Sequence, residues 1–249
     1  MTTTDAVNEG RRRFVQAAAA AAAGLTLGSI PLATHAAPER GMKIGVIGAG
    51  RIGGTVGTLW VKAGYAIMLS ARNLDEVKKL TDGLGPKARA GTPQQSAAFG
   101  DVIFVAVPYS ALPQLGRDLA AELKGKVVLD SCNPIPRRDG EMAAAAQAKG
   151  TGVASVEFLP GVRLVRAFNS VGYSVLRSEA HRAGDKIAIP LAGDDTQALK
   201  TASRLVEDAG FEPVVVGGLA RAKEFDVGTP VFGKGLTARE LRRGLGMGS

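Results

Sequence analysis

A glycine-rich turn is the first part of the sequence whose residue types and spacing could do chemistry. It reads Gly48-Ala49-Gly50-Arg51-Ile52-Gly53, between the apolar run 43–48 and a helical pattern over 51–63. Glycine at its three positions permits a tight turn, close backbone approach to a pyrophosphate, and close packing of helix on strand. The helix N-terminus then offers unpaired N–H groups to phosphates. This pattern predicts a dinucleotide site, and a glycine-rich turn without a ligand is the alternative.

The end of the second apolar run, 66–70, indicates which dinucleotide would bind. Sites for NAD(H) usually carry an acid about 20 residues after the first glycines, where it accepts hydrogen bonds from the ribose hydroxyls. Here the run ends in Ser70, Arg72 and Asn73, and no acid precedes Asp75. Arginine can bind a 2′-phosphate through charge-assisted hydrogen bonds, whereas a carboxylate would repel it. We therefore expect NADP(H) at these three residues; a solvated Arg72 at a helix start is the alternative.

Two later strand ends should reach the same crevice, because ligands of parallel sheets bind outside the carboxyl ends of the strands. One carries Val107, Pro108 and Tyr109, and the other carries Asn133 and Pro134. These residues are predicted to border the nicotinamide. For Tyr109, contact with the ligand and packing at a helix start are equal alternatives. Asp130, just upstream, is expected to cap a turn rather than to abstract a proton.

No residue is predicted to be catalytic in the sense of moving a proton. Reduction of a carbonyl needs a proton donor such as His, Lys or Tyr, but His181 and Lys223 both lie in polar segments and are expected in solvent. One cysteine and two histidines also exclude a clustered Cys/His metal site. Hydride exchange between two redox cofactors needs no such donor, because the protein only aligns two rings.

The whole chain is consistent with a small-molecule enzyme. It has 249 residues, 45% of them hydrophobic, which is enough for one sizeable core. Its net charge is +8, but the basic residues are scattered. We expect anionic ligands and no nucleic acid.

Residues 1–40 have the layout of an export signal and linker. A charged start is followed by an alanine-rich apolar stretch and small residues near Ala36. The segment 11–15, Arg-Arg-Arg-Phe-Val, fits a twin-arginine pattern, with Gly10 as a small departure. We expect the twin-arginine export machinery as a partner, a periplasmic or secreted protein, and no stable membrane span after cleavage. The alternative is an uncut leader, and a cytoplasmic protein if the signal is not used.

Strand and helix patterns alternate after residue 41. Strands are predicted at 43–48, 66–70, 101–108, 126–134, 163–169 and 186–193, with one more in the run EPVVVGG. This order predicts an α/β fold, a Rossmann-type doubly wound parallel sheet with a small C-terminal α/β extension. Residues 41–170 would form the NADP-binding domain, and residues 171–249 the extension that completes the acceptor site.

Four segments resemble a known family: MKIGVIGAGRIGGTVGTLWVKAGYAIMLSARN, DVIFVAVPYSAL, VVLDSCNPI and LVRAFNSVGYSVL. They are similar to the NADP oxidoreductases dependent on the deazaflavin coenzyme F420 and, equally, to the NADPH domain of transmembrane metalloreductases. The resemblance implies NADPH on the glycine turn, with Arg72 near the 2′-phosphate. It also implies Phe168, Asn169 and Ser170 beside an isoalloxazine-type ring, and a homodimer. The export signal and the lack of a membrane-spanning C-terminal half are departures from that pattern.

The expected activity is hydride transfer between NADP(H) and a flavin or deazaflavin acceptor, with onward reduction of ferric or cupric ions as an extension. The alternative is an exported NADP-binding sensor or carrier without turnover. A third interpretation, reduction of a small carbonyl compound, requires the proton donor that the sequence does not show.

Overall fold

The computed structural model describes residues 41–248 and contains an eight-stranded sheet. Along the chain the strands are β1 (Lys43–Ile47), β2 (Ala66–Ser70), β3 (Ala88–Gly91), β4 (Val102–Val105), β5 (Val127–Asp130), β6 (Arg163–Arg166), β7 (Ala188–Gly193) and β8 (Glu212–Gly217). Their order in the sheet is β3-β2-β1-β4-β5-β6-β7-β8. Strands β1 to β6 are parallel, whereas β7 runs antiparallel to β6 and parallel to β8.

Helices fill the connections. They are α1 (Arg51–Lys62), α2 (Leu74–Asp82), α3 (Pro93–Phe99), α4 (Leu112–Asp118), α5 (Ala120–Leu123), α6 (Pro136–Asp139), α7 (Glu141–Lys149), α8 (Thr151–Phe158), α9 (Tyr173–Ser178), α10 (Thr196–Asp208) and α11 (Ala238–Gly244), with 3-10 turns at Tyr109–Ala111 and Leu219–Phe225. None of the helices among the described residues combines the length and apolarity that crossing a membrane would need.

Neighbouring residues of one strand pack on opposite faces of the sheet, as the period of two requires. On β4, Phe104 joins the core that includes α1 and α10, while Ile103 and Val105 join the core that includes α4 and α8. Both faces are therefore covered by helices, and the predicted doubly wound α/β fold is confirmed. The switch in strand order falls between β1 and β4, where such folds bind their ligands.

One side of the sheet is organised by aromatic rings. Trp60 of α1 contacts Phe104 and Phe168 edge to face, and Phe168 contacts Phe211 in the same way. All four side chains are completely buried. The indole Nε1 of Trp60 also donates to the carbonyl oxygen of Leu205, 2.7 Å away, which fixes α1 against α10. These contacts of Trp60 fix the C-terminal half of α1 against the sheet.

The structure differs from the predicted elements in three places. The strand β3 was not expected, because ARAG is too short and too small to show a strand pattern. Between the predicted strands 101–108 and 126–134 the sequence predicts one helix near 110–123, but the structure divides this segment into a 3-10 turn, α4 and α5, with a break at Leu119. The glycine-bounded segment 135–162 forms α6, α7 and α8, which no pattern in the sequence indicated.

Residues 171–248 add β7 and β8 to the same sheet. Helix α11 covers this end and begins with a capping box in which Thr237 and Glu240 exchange hydrogen bonds. The predicted boundary near residue 170 thus falls within one continuous sheet, between β6 and β7. The predicted export signal in residues 1–40 lies outside the described residues.

Candidate functional site

Two glycines of the turn are required by the packing of the protein itself. Gly48 has a left-handed φ of +101°, and a Cβ there would lie 2.4 Å from the carbonyl oxygen of Ala106. A Cβ on Gly53 would lie 1.9 Å from the carbonyl oxygen of Gly48. Both distances are far below any real contact. These glycines let α1 approach β1 and β4 closely, which accounts for the first and last positions of the pattern.

Gly50 is different, because nothing in the protein requires a glycine there. Its φ is −74°, and a Cβ added to it would meet no atom within 4 Å. Gly50 is also the N-cap of α1, and no side chain caps this end of the helix. The open space therefore faces uncapped N–H groups at the positive end of a helix dipole. A pyrophosphate fits this position, and a side chain on residue 50 would occupy its place.

Ser70 anchors the turn from the neighbouring strand. Its carbonyl oxygen accepts hydrogen bonds from the N–H groups of Gly48 and Ala49, both at 2.8 Å. Its own hydroxyl donates to the carbonyl oxygen of Val46 at 2.9 Å, and the residue is completely buried. Ser70 lines the cavity next to the turn, but its side-chain oxygen is used within the sheet. The structure thus gives it a positioning role.

Arg72 lies at the mouth of the crevice. It is exposed and lines two adjoining cavities of about 790 and 800 Å³. Within residues 41–248 its guanidinium makes no hydrogen bond or ion pair, whereas the next residue is fully engaged. Asn73 caps α2 by accepting from the N–H groups of Asp75 and Glu76. Arg72 is therefore the group at this strand end that is available to a 2′-phosphate.

Two carboxylates also border the second cavity and would oppose a phosphate. Asp75 lies 3.9 Å from the ammonium of Lys78, and the carboxylate of Glu76 accepts from the side-chain amide of Asn73 at 3.0 Å. Both carboxylates therefore have a favourable partner of their own. Their exposure places them in water, where two like charges about 4 Å apart repel each other by only about 1 kcal/mol.

The cavity of about 790 Å³ brings six of the predicted cofactor residues together. Gly48, Gly50, Ser70 and Arg72 form one side, and Val107 and Pro108 form the other. Ala49 and Asn73 line the second cavity. The lining also contains residues that the sequence analysis missed: Pro93, Gln94, Ser110, Gln114 and Asp118. A possible signal for the first two was the capping box Thr92-Pro93-Gln94-Gln95, which starts a helix at the carboxyl end of β3.

Asp139 ties the two later strand ends to each other. Its buried carboxylate accepts hydrogen bonds from the backbone N–H groups of Ser110 and Ile135 and from the guanidinium of Arg138. Burial opposes its charged form, but the bonds from Arg138, Ile135 and Ser110 outweigh burial and lower the pKa of Asp139 to about 2. A carboxylate that remains ionised at neutral pH therefore fixes the loop that carries Val107 and Pro108.

Tyr109 belongs to the core and does not line the cavity. Its side chain is completely buried and contacts Phe158 edge to face. Its hydroxyl lies 3.5 Å from that of Ser155, and burial raises the pKa of Tyr109 to about 12. Of the two alternatives for Tyr109, packing at a helix start describes its position.

The predicted acceptor residues are also interior. Phe168 is completely buried with a left-handed φ of 59°, and Asn169 and Ser170 are 4% and 3% exposed. Phe168 belongs to the aromatic cluster, and the side-chain amide of Asn169 donates to the carbonyl oxygen of Phe225 at 3.4 Å. In this conformation their side chains are not offered to a large ring, and their contact with an acceptor stays a prediction.

The end of β6 holds a buried ionic network that the sequence analysis missed. Arg166 is completely buried, and its guanidinium lies 2.8 Å from the carboxylate of Asp130 and 3.3 Å from that of Asp226. Burial opposes its charge, but the two carboxylates outweigh burial and raise the pKa of Arg166. Asp130 also accepts from the N–H of Cys132 at 2.8 Å, which is the turn-capping role expected for it.

This network fixes the remaining predicted residues. The amide oxygen of Asn133 accepts from Arg166 at 3.3 Å, and its amide nitrogen donates to the carbonyl oxygen of Asn169 at 2.7 Å. Pro134 follows it and is buried. Neither Asn133 nor Pro134 lines either of the two cavities. Asn133 instead connects the end of β5 to the end of β6. Residues 41–248 contain no group of three or more His, Cys, Asp or Glu side chains placed to hold a metal ion.

A family model and a curated relative both match this chain. Residues 43–134 match the family model described as NADP oxidoreductase, coenzyme F420-dependent. The chain is 31% identical over 193 residues to metalloreductase STEAP3 of Rattus norvegicus, an alignment that covers 76% of this chain and 36% of the relative. The chain therefore spans about a third of the length of that curated relative.

Solved structures support the fold. A hypothetical protein from Sinorhizobium meliloti is 24% identical, with a TM-score of 0.69 over 79% of this chain and 95% of the other. A candidate F420-dependent NADP reductase from Arthrobacter sp. is 19% identical, with a TM-score of 0.63 over 74% of this chain and 88% of the other. The family model spans the glycine turn, Arg72 and the strand ends at Val107 and Asn133. Through this segment, residues 43–134, the chain is similar to the coenzyme F420-dependent NADP oxidoreductases.

Proposed function

We propose that the protein is an NADPH-dependent reductase that passes hydride to a flavin or deazaflavin acceptor. The observation that carries this proposal is the crevice itself. It joins the open space at Gly50, the free guanidinium of Arg72 and the wall at Val107 and Pro108. Its lining includes no His, Lys, Cys or Tyr side chain within the described residues. Such a crevice can hold and orient a dinucleotide without offering a conventional proton donor.

Each residue has a definite task toward the cofactor. The N–H groups at the start of α1 bind the pyrophosphate, and Arg72 binds the 2′-phosphate. Val107 and Pro108 restrict the nicotinamide on one side. The hydrogen bond from the N–H of Ser110 to Asp139 holds the loop that carries these two residues in place. NADPH supplies one hydride, and thus two electrons, and the acceptor takes up this hydride with one proton from water.

The ionisable groups of the cavity do not change this conclusion. Asp118 is the carboxylate of the lining, but it is exposed and accepts a 2.6 Å hydrogen bond from Gln114. His181 is exposed, and its backbone N–H donates to the carbonyl oxygen of Gly210. Lys223 is exposed on the 3-10 turn at Leu219–Phe225. Neither His181 nor Lys223 lines the cavity.

Steady-state oxidation of NADPH with a panel of acceptors tests the proposal. We expect turnover with FMN, FAD or a deazaflavin, and turnover of ferric or cupric chelates only when a flavin is also present. Replacing His181 by Gln or Lys223 by Met should leave turnover within a few-fold, whereas loss of a general acid costs about 10²–10⁴-fold. A hundredfold loss in either variant would favour a carbonyl reductase. Tight NADPH binding without turnover on any acceptor would favour the sensor or carrier.

Export and self-association are part of the proposal. The twin-arginine pattern at residues 11–15 supports transport to the periplasm, and the family resemblance supports a homodimer. A reporter fused behind residues 1–40 should be exported, and replacing Arg11, Arg12 and Arg13 by lysine should stop it. Continued export would exclude the twin-arginine route. Sedimentation velocity of the mature protein should give twice the mass of one chain, and a monomer would exclude the dimer.

A further inference from the structure

An exposed aromatic ring lies next to the dinucleotide turn. Tyr173, the first residue of α9, is 36% exposed and is one of two large hydrophobic side chains so exposed in the described part of the chain. The guanidinium of Arg51 lies 5.1 Å from the centre of its ring. The two residues come from helices that pack against each other, α1 and α9. They form one surface, which we call the Arg51–Tyr173 pair.

The pair is at the edge of the sheet where ligands bind. Strands β1 and β6 are part of the same parallel set, so their carboxyl ends lie on one edge. Arg51 follows β1 by four residues and adjoins Gly50, which lines both cavities. Tyr173 follows β6 by seven residues. The residues between, including Phe168, Asn169 and Ser170, are buried up to Val171. Tyr173 is thus the first aromatic side chain that the chain exposes after β6.

The charge of Arg51 is not neutralised by the protein. It is exposed, and within residues 41–248 no carboxylate forms an ion pair with it. By contrast, Arg166 on the same edge is neutralised by Asp130 and Asp226. An unpaired guanidinium beside an accessible aromatic face is suited to a ligand that is both planar and anionic, because stacking and charge-assisted hydrogen bonds can act together.

We propose that the Arg51–Tyr173 pair binds the acceptor, with Tyr173 stacking on its planar ring system and Arg51 binding an anionic group on its side chain. This inference rests on the proposed function, since it names the substrate class of the same site. The acceptor is a flavin-type ring with a phosphate, rather than an uncharged flavin or a bare metal ion. The pair replaces the buried residues at 168–170 as the acceptor surface.

Direct binding tests the pair without relying on turnover. Protein saturated with NADP⁺ is titrated with FMN and, separately, with riboflavin, and the flavin fluorescence is followed. The variants are Tyr173→Ala, Tyr173→Phe and Arg51→Gln. The control is Arg89→Gln, because Arg89 is also an exposed arginine over an aromatic ring, 5.9 Å from the centre of Phe99, but on the edge strand β3. The dissociation constant of NADPH is measured for each variant.

We expect Tyr173→Ala to weaken the binding of FMN and of riboflavin about tenfold, and Tyr173→Phe to bind both as the wild type does. Arg51→Gln should weaken the binding of FMN about tenfold and that of riboflavin less than threefold. Arg89→Gln should match the wild type. The inference is overturned if wild-type protein reduces flavins but these variants bind FMN normally, or if Arg51→Gln weakens NADPH as much as FMN. The proposed function itself fails if wild-type protein neither binds nor reduces any flavin.

Discussion

Two regions along the carboxyl edge of the sheet use polar residues in opposite ways. At the carboxyl ends of β1 and β2, the helix N-terminus at Gly50 is uncapped and Arg72 has no partner in the described chain. At the carboxyl ends of β5 and β6, Arg166 is buried between two carboxylates. The first region, which we call the open end, keeps its polar groups in water and available to a ligand. In the second region, which we call the closed end, the polar groups bind one another and hold the strand ends in place.

This difference explains why the two ends should respond differently to substitution. Removing an exposed group that contacts only a ligand changes the affinity for that ligand. It changes the free energy of unfolding little, because water solvates the neighbouring groups. Removing one member of a buried ionic network leaves a charge without compensation, which is strongly destabilising. Changes at the open end should therefore appear in cofactor affinity, and changes at the closed end in the free energy of unfolding.

The largest effect is expected from removing a carboxylate of the buried ionic network at the closed end. Replacing Asp226 by Ala removes one of two carboxylates beside Arg166 and the acceptor of the Thr151 N–H. We expect a loss of about 3–5 kcal/mol in the free energy of unfolding. Urea denaturation checks this, with Asp82→Ala, at an exposed position, as the matched control. A loss below about 1 kcal/mol would show that the network does not hold the strand ends.

The next effect is expected from filling the open end. Gly50→Val places a side chain in the empty space at the start of α1. NADPH affinity should fall at least about a hundredfold, which is about 2.7 kcal/mol, with little change in thermal stability. Gly83→Val is the control, because Gly83 has a similar φ of −75° and its nearest neighbour would lie 3.6 Å from the new Cβ. Unchanged NADPH affinity in Gly50→Val would place the pyrophosphate elsewhere.

A smaller and pH-dependent effect is expected at Asp139, which ties the loop after β4 to the loop after β5. Its pKa is lowered to about 2, so its charged form stabilises the fold above the unfolded pKa of about 4 and is lost as pH falls toward 2. Asp139→Asn should cost about 2 kcal/mol at pH 7 and clearly less at pH 3. Denaturant unfolding at the two pH values measures this. An equal cost at both would mean that the carboxylate charge has no such role.

The sequence predicted the open end better than the closed end. The glycine spacing and the absence of an acid before Asp75 are local patterns, and the structure brings Gly50 and Arg72 to one crevice. The closed end depends on pairs far apart in the chain, such as Arg166 with Asp226, whose partners no local pattern shows. In the same way, Tyr109 and Phe168 lie at strand ends where ligands bind, but tertiary packing turns both side chains into the core.

The central claim is that Arg72 selects NADP(H) over NAD(H). Titration of wild-type protein and of Arg72→Gln with NADPH and NADH tests it most directly. We expect the wild type to bind NADPH at least tenfold more tightly than NADH, about 1.4 kcal/mol, and the variant to lose most of this preference while its NADH affinity stays the same. Equal affinities of the wild type for the two dinucleotides, or an unchanged preference in the variant, would contradict the account.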